Sequence, residues 1–256
     1  MKTSAGVLLT ALILISSTFS CRNSTENKDK TISVIDSALE KSAMPKPLRE
    51  KVLTAEEQKA LTPDMVIKNL TDGNKRFMSN DLTARDHSAM VREASVGQYP
   101  KAVILSCLDS RIPVEDVFDK GIGDLFVARV AGNFVNEDIL GSMEFGCKVS
   151  GAKLILVLGH ESCGAIKAAI DNVKLGNITA MLTKIAPAVS ITKDFKGDKT
   201  SKNAEYVEEV AKNNVLSTIE AIKSKSPILR EMADKGEIKI LGAYYDLNTG
   251  EVTFLQ

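Results

Sequence analysis

The chain has no tryptophan, and its 256 residues include only two histidines and four cysteines. Its 33 basic residues are matched by 33 acidic ones, so no net charge draws it to nucleic acid or to an anionic membrane. Aromatic residues make up 5%, too few for a base-stacking surface. The apolar run at 5–15 (AGVLLTALILI) is too short to span a bilayer. No internal repeat or low-complexity tract is present. The length suits one substantial α/β domain with a full core and is short for two large ones.

What is present begins with a basic start, Met1-Lys2, ahead of that apolar run. Ser16-Ser17-Thr18-Phe19-Ser20 and then Cys21 complete the layout of a secretory signal. Cys21 is placed as in the lipobox of bacterial lipoproteins, where that cysteine is lipidated and becomes the mature N-terminus. Thr18 stands where an aliphatic residue is usual, and cleavage after Ser20 to release a soluble secreted protein is the alternative. The expected organisation is a signal peptide over 1–20, a polar tether over 21–61 broken by Pro45 and Pro47, and a folded domain over 62–256. The protein is expected to be exported, periplasmic or membrane-anchored, touching the membrane only through a lipid on Cys21.

From Thr62-Pro63-Asp64, a helix-start signal, the pattern alternates. Helical spacing is expected over 64–78, 88–97, 114–118, 136–149, 164–172, 177–190, 203–224 and 227–235. Strands are expected over 102–107, 125–129, 154–158, 238–244 and 252–255. This predicts an α/β fold with a mainly parallel central sheet of about four strands plus an edge strand, flanked by helices. Along the helix at 203–224 the apolar stripe is Val207, Val210, Val215, Ile219 and Ile222.

Two runs sit where such a sheet binds ligands, at the carboxyl ends of strands. Cys107-Leu108-Asp109-Ser110-Arg111 follows the β-like run AVILS, and His160-Glu161-Ser162-Cys163-Gly164 follows KLILVLG. On parallel strands they bring two thiolates and one imidazole to one crevice. Two Cys and one His are three of the four tetrahedral ligands that zinc prefers, leaving one position for water. Cys163 opens a helix, where unpaired N–H groups and the dipole favour a thiolate, and His160 is expected on the strand-to-helix turn. Setting Cys21 aside leaves an odd number of cysteines in a chain too large to need staples, so metal ligation explains two of them better than a lone disulfide. Cys147 reads as a small buried hydrophobe. Asp109 and Arg111 alternate with Ser110 on a tight turn, so they can pair. Arg111 then orients the carboxylate and holds it off the metal, while Asp109 accepts a hydrogen bond from the water.

Cys-x-Asp-Ser-Arg followed by His-x-x-Cys-Gly resembles the β-class carbonic anhydrases. The resemblance extends to Gly73-Asn74-x-Arg76-Phe77, Gly97-Gln98-x-Pro100, Asp124-Leu125-Phe126-x-x-Arg129-x-Ala131-Gly132-Asn133 and Gly242-Ala243-Tyr244-Tyr245-Asp246, and so covers 62–256. It implies a zinc lyase that reversibly hydrates CO2 to bicarbonate and a proton through zinc-bound hydroxide, with one Zn2+ per chain held by Cys107, His160 and Cys163. It further implies Asp109–Arg111 as the catalytic dyad and a homodimer or tetramer. By resemblance, Gln98 donates to bicarbonate, often across the dimer interface, and Gly132 lies by the substrate pocket. The remaining imidazole, His87, reads as an exposed loop residue rather than a proton shuttle. Some members close the site by moving the aspartate onto zinc and bind bicarbonate in a pocket built with Trp. Lacking Trp, this chain is expected to be of the open type.

Three rivals remain at this level. A CS2 or COS hydrolase uses the same scaffold with different access. A zinc-binding relative without turnover would not need the Asp109–Arg111 pair. A dithiol redox protein would use Cys107 and Cys163 without metal.

Overall fold

The computed structural model describes residues 50–255. The expected signal peptide, Cys21 and most of the tether lie outside the described residues. Four parallel strands, β1 (Ala102–Ser106), β2 (Leu125–Arg129), β3 (Leu154–His160) and β4 (Lys239–Tyr245), and the antiparallel β5 (Val252–Leu255) form one sheet in the order β2-β1-β3-β4-β5. This is the expected mainly parallel sheet with an edge strand. The helices are α1 (Ala55–Lys59), α2 (Pro63–Met78), α3 (His87–Ala94), α4 (Val114–Val117), α5 (Glu137–Glu144), α6 (Gly164–Ile170), α7 (Gly176–Leu182), α8 (Ala186–Ile191), α9 (Ala204–Lys225) and α10 (Pro227–Asp234). Among the described residues, no helix is long and apolar enough to cross a membrane.

Strands β1 and β3 are buried along their whole length, as expected of continuous apolar runs covered on both faces. Their side chains alternate between two layers. Val103, Leu105, Ile155 and Val157 meet Val215, Ile219 and Ile222 of α9, while Ile104, Leu154, Leu156 and Leu158 meet Val66 and Leu70 of α2. The predicted stripe of α9 is the face that packs. It comes close at Gly159 of β3 and Gly242 of β4, where an added Cβ would lie 2.6 Å from a Val215 methyl. Only a glycine lets α9 lie this near the site end of β3.

Local signals set the helix ends. Thr62 accepts from the N–H of Met65 ahead of Pro63 and starts α2, and Asn136 accepts from Ile139 and starts α5. The folded unit also reaches back beyond Thr62. Thr54 and Glu57 form a capping box that starts α1, and Gln58 is buried, its Nε2 donating to the carbonyls of Pro100 (2.8 Å) and Ser150 (2.7 Å). Residues 50–61, read as tether from their polar composition, are therefore fastened to the loops that enter β1 and β3. The helix expected over 136–149 changes character midway, with a π-helical turn at Phe145–Val149 that buries Cys147.

Candidate metal centre

The parallel register aligns Ser106 with Leu158, so both strands release their chains at the same edge. Cys107 leaves β1 there. His160 is the last residue of β3, paired with Tyr245, rather than part of the turn. Cys163 is the N-cap of α6. One ligand atom from each of the three lies within 4.8 Å of the others, and all three residues are buried. The two sulfurs are 3.9 Å apart. Two thiolates on one tetrahedral metal, at about 2.3 Å each, stand about 3.8 Å apart, so the spacing fits.

The imidazole is oriented for ligation. Its Nδ1 lies 2.8 Å from the carbonyl of Glu161, which can only accept, so Nδ1 carries the proton. Nε2 then presents a lone pair, and it is buried with no hydrogen-bond partner. A buried acceptor left empty costs free energy that a bound cation recovers. Glu161 is itself braced, accepting from the N–H of Leu247 (3.1 Å) and from Asn248 Nδ2 (2.8 Å).

The sulfurs do not behave alike. Hydrogen bonding with the Cys163 thiol and from the N–H of Gly132 holds the Cys107 thiol well below its usual range despite burial. Cys163 is pushed up by that same hydrogen bond and by burial, and the helix N–H groups of Ala165 and Ile166 do not offset this. The pull of those N–H groups is the one expected of a cysteine at a helix start. Two thiols this close oppose each other's ionisation, and a divalent cation held between them would relieve that repulsion.

Asp109 and Arg111 pair as expected. Arg111 donates from Nε to Oδ1 (2.9 Å), from Nη2 to Oδ2 (2.6 Å) and from its backbone N–H to Oδ1 (3.0 Å). This fork lowers the Asp109 carboxyl to about 2. Asp109 Oδ2 stands 3.9 Å from His160 Nε2, beside the ligand atoms but outside their cluster. Gly132 lies against the centre through its backbone, its N–H donating to Cys107 Sγ at 3.3 Å. It adopts φ +83°, and an added Cβ would lie 2.4 Å from Ile185 Cδ1.

Gln98 and His87 are not brought to the cluster. Gln98 is exposed on the loop that enters β1, at the opposite end from Cys107. His87 opens α3 and shares a cavity with Gly123 and Leu125 at the start of β2, the same far end of the sheet. Sequence reasoning missed three supports. Arg129, at the end of β2, donates from Nη1 to the Cys107 carbonyl (3.0 Å) and from Nη2 to the Ile112 carbonyl (2.6 Å), gripping the loop that carries Cys107 and Asp109. Asn214 of α9 donates to the Gly132 carbonyl at 2.8 Å. Phe134, Ile166, Tyr206 and Tyr244 pack with Cys107 and Cys163 into an apolar shell. Arg129 and Tyr244 left a signal, each as part of a motif.

A family model described as carbonic anhydrase matches residues 102–252. The chain is 34% identical over 192 residues to carbonic anhydrase 2 of Mycobacterium tuberculosis, covering 72% of this chain and 88% of that protein. It is 32% identical over 192 residues to a carbonic anhydrase of Mycolicibacterium smegmatis, covering 72% and 89%. Among solved structures, the β-carbonic anhydrase CafA of Aspergillus fumigatus superposes with a TM-score of 0.58 at 24% identity, covering 75% of this chain and 89% of that one. The β-carbonic anhydrase CcaA gives 0.60 at 23%, covering 74% and 95%. Both structures share the fold.

Proposed function

The chain belongs to the β-carbonic anhydrase family, and from that premise we infer that it is a zinc enzyme hydrating CO2 at the crevice formed by Cys107, His160 and Cys163. The observation that carries this reading is the donor set itself, two sulfurs 3.9 Å apart and a buried imidazole nitrogen without a partner. Two soft sulfurs with one imidazole match zinc, and three protein ligands leave a position open to substrate. Zinc, when bound there, supplies Lewis-acid activation of water near neutral pH.

The chain's own residues do the rest. Asp109, held charged by Arg111, accepts a hydrogen bond from the attacking water and turns a lone pair toward the CO2 carbon. A carboxylate with its pKa near 2 is too weak a base to keep the proton, so Asp109 orients and the proton leaves to solvent or buffer. Gly132 keeps its N–H on Cys107 at the edge of the crevice, and its missing side chain lets Ile185 and Ala165 pack there. The Arg111 fork would also keep Asp109 off a bound zinc, which favours the open form of the site.

A homodimer or tetramer is proposed on two supports. The edge strand β2 is half-buried along an apolar sequence, and beside it Phe126, Ile139 and Phe145 line a groove of about 760 Å³. Gln98, far from its own chain's cluster, is proposed to reach bicarbonate in the site of a second copy. Export is proposed from the signal-like residues 1–20 and Cys21, with lipidation at Cys21 tethering the enzyme.

The test of the catalytic reading is metal analysis with CO2-hydration kinetics on the purified protein and on Cys163→Ala. One zinc per chain and an active parent are expected, with metal and activity lost together in the variant. Active metal-free protein would overturn the reading, and turnover of CS2 in place of CO2 would move it to the hydrolase. For export, lipid labelling that depends on Cys21 is expected, and unlabelled soluble protein outside the cell would leave secretion alone.

A further inference from the structure

At the far end of the sheet from the metal centre, the loop between α4 and β2 buries a lysine without a counterion. Lys120 is 2% exposed, and its Nζ donates to the backbone carbonyl of Asp119 at 2.9 Å. Among the described residues it takes part in no ion pair, because the carboxylates around it are committed elsewhere. Asp124 pairs with Lys101 and accepts the N–H of Gly121 at 2.9 Å. Glu50 lies 3.5 Å from Lys101, and Asp119 is held by Arg76, Arg85 and Thr83. Burial first, and the Lys101 cation next, bring Lys120 down to about 8 against the opposing pull of Glu50 and Asp124.

Lys120 also forms part of the wall of a cavity of about 200 Å³, together with Arg85, His87, Glu115, Asp116 and Gly121. The two Nη atoms of Arg85 are used, on Asp116 (3.0 Å) and Asp119 (2.7 Å), but its Nε is buried and has no partner. One small cavity is therefore lined by a lysine whose Nζ has no carboxylate partner and by an arginine whose buried Nε–H has no acceptor.

We propose that Lys120 is a carbamylation site that takes CO2 directly. The ammonium first gives up a proton. The neutral Nζ then attacks CO2: an N–C bond forms, one C=O π pair moves onto oxygen, and a second proton leaves to water. The product is a carbamate whose oxygens offer acceptors to the unpartnered Nε–H of Arg85, in the field of Lys101 and Arg76. The reaction rests on the proposed function only for the presence of CO2, and it uses none of the metal-centre residues.

The test exposes the full-length, zinc-loaded protein to carbon-13 CO2 and bicarbonate in amine-free buffer at about pH 8, where an ordinary lysine is almost wholly charged. Trapping with triethyloxonium, digestion and mass spectrometry then locate the label. An ethoxycarbonyl group on Lys120 is expected, at least about tenfold above the exposed Lys68 and Lys75. In the intact protein, a carbamate carbon-13 resonance should appear and be lost in Lys120→Arg, with zinc content and CO2 hydration retained. An unlabelled Lys120, or one labelled no more than Lys68, overturns the proposal. CO2 is supplied from outside, so a protein that fails to hydrate it would still carry the label. The two readings therefore fail separately.

Discussion

Arg129 Nη1 donates to the backbone carbonyl of Cys107 at 3.0 Å, so the edge strand β2 holds the loop that brings the first sulfur to the centre. Its Nη2 holds Ile112 at the other end of the same loop. The Asp109–Arg111 turn is thereby fixed from outside, by a residue that touches neither the ligand atoms nor the Asp109 carboxylate.

Arg129→Ala should loosen this loop without unfolding the sheet. A zinc affinity lower by about tenfold, measured by chelator competition, is expected, because groups that orient metal ligands typically carry effects of that size. Unchanged affinity with unchanged activity would remove Arg129 from the account.

Asp109→Asn should separate orientation from metal binding. The amide keeps its shape but loses the charge that the Arg111 fork stabilises. One zinc per chain should remain, while kcat for CO2 hydration falls by roughly 10²-fold. Equal loss of zinc and of rate would mean that Asp109 supports the centre rather than the reaction.

Asp119 makes stability depend on acid pH. Burial alone would raise its pKa, but the Thr83 hydroxyl and the Arg76 guanidinium outweigh it, and the folded value lies below the ordinary 3.8. The stabilisation is therefore complete above about pH 4 and is lost as pH falls through the lower, folded value. Urea midpoints of the parent should drop steeply below about pH 4. Asp119→Asn should begin lower by roughly 3 kcal/mol, since Arg76 and Arg85 lose their partner, and should change less over the same window. Parallel curves would contradict the assignment.

Gln98 and the metal ligands should complement across subunits. Gln98→Ala and Cys163→Ala are each expected to be impaired when pure. Mixed oligomers contain sites with an intact Cys163 from one chain and an intact Gln98 from the other, so coexpression should recover part of the CO2-hydration rate. No recovery in a verified mixed oligomer would count against the cross-subunit site.

Much of this was legible from local pattern. The alternation of apolar runs located all five strands, and the stripe Val207, Val210, Val215, Ile219 and Ile222 is the buried face of α9. The three ligand residues were identifiable because the chain offers few soft donors, and each stands at a strand end or a helix start. Polar composition concealed α1, where Gln58 is buried on two backbone carbonyls rather than on an apolar face. The helix argument for Cys163 also left out a second sulfur 3.9 Å away, which opposes ionisation of both.

The sequence by itself determined the five strands and most of the helices, the kind of donors and the turn chemistry, because periodicity, capping and the pairing of Asp109 with Arg111 act over a few residues. Tertiary structure alone decided that Ser106 aligns with Leu158, which brings together sulfurs 56 positions apart. It also decided that Arg129 grips the Cys107 loop and that Asn214 holds Gly132 from 82 positions away. A backbone carbonyl accepts from any donor that reaches it, so these partners follow from where the folded chain passes and leave no mark in either residue's neighbours.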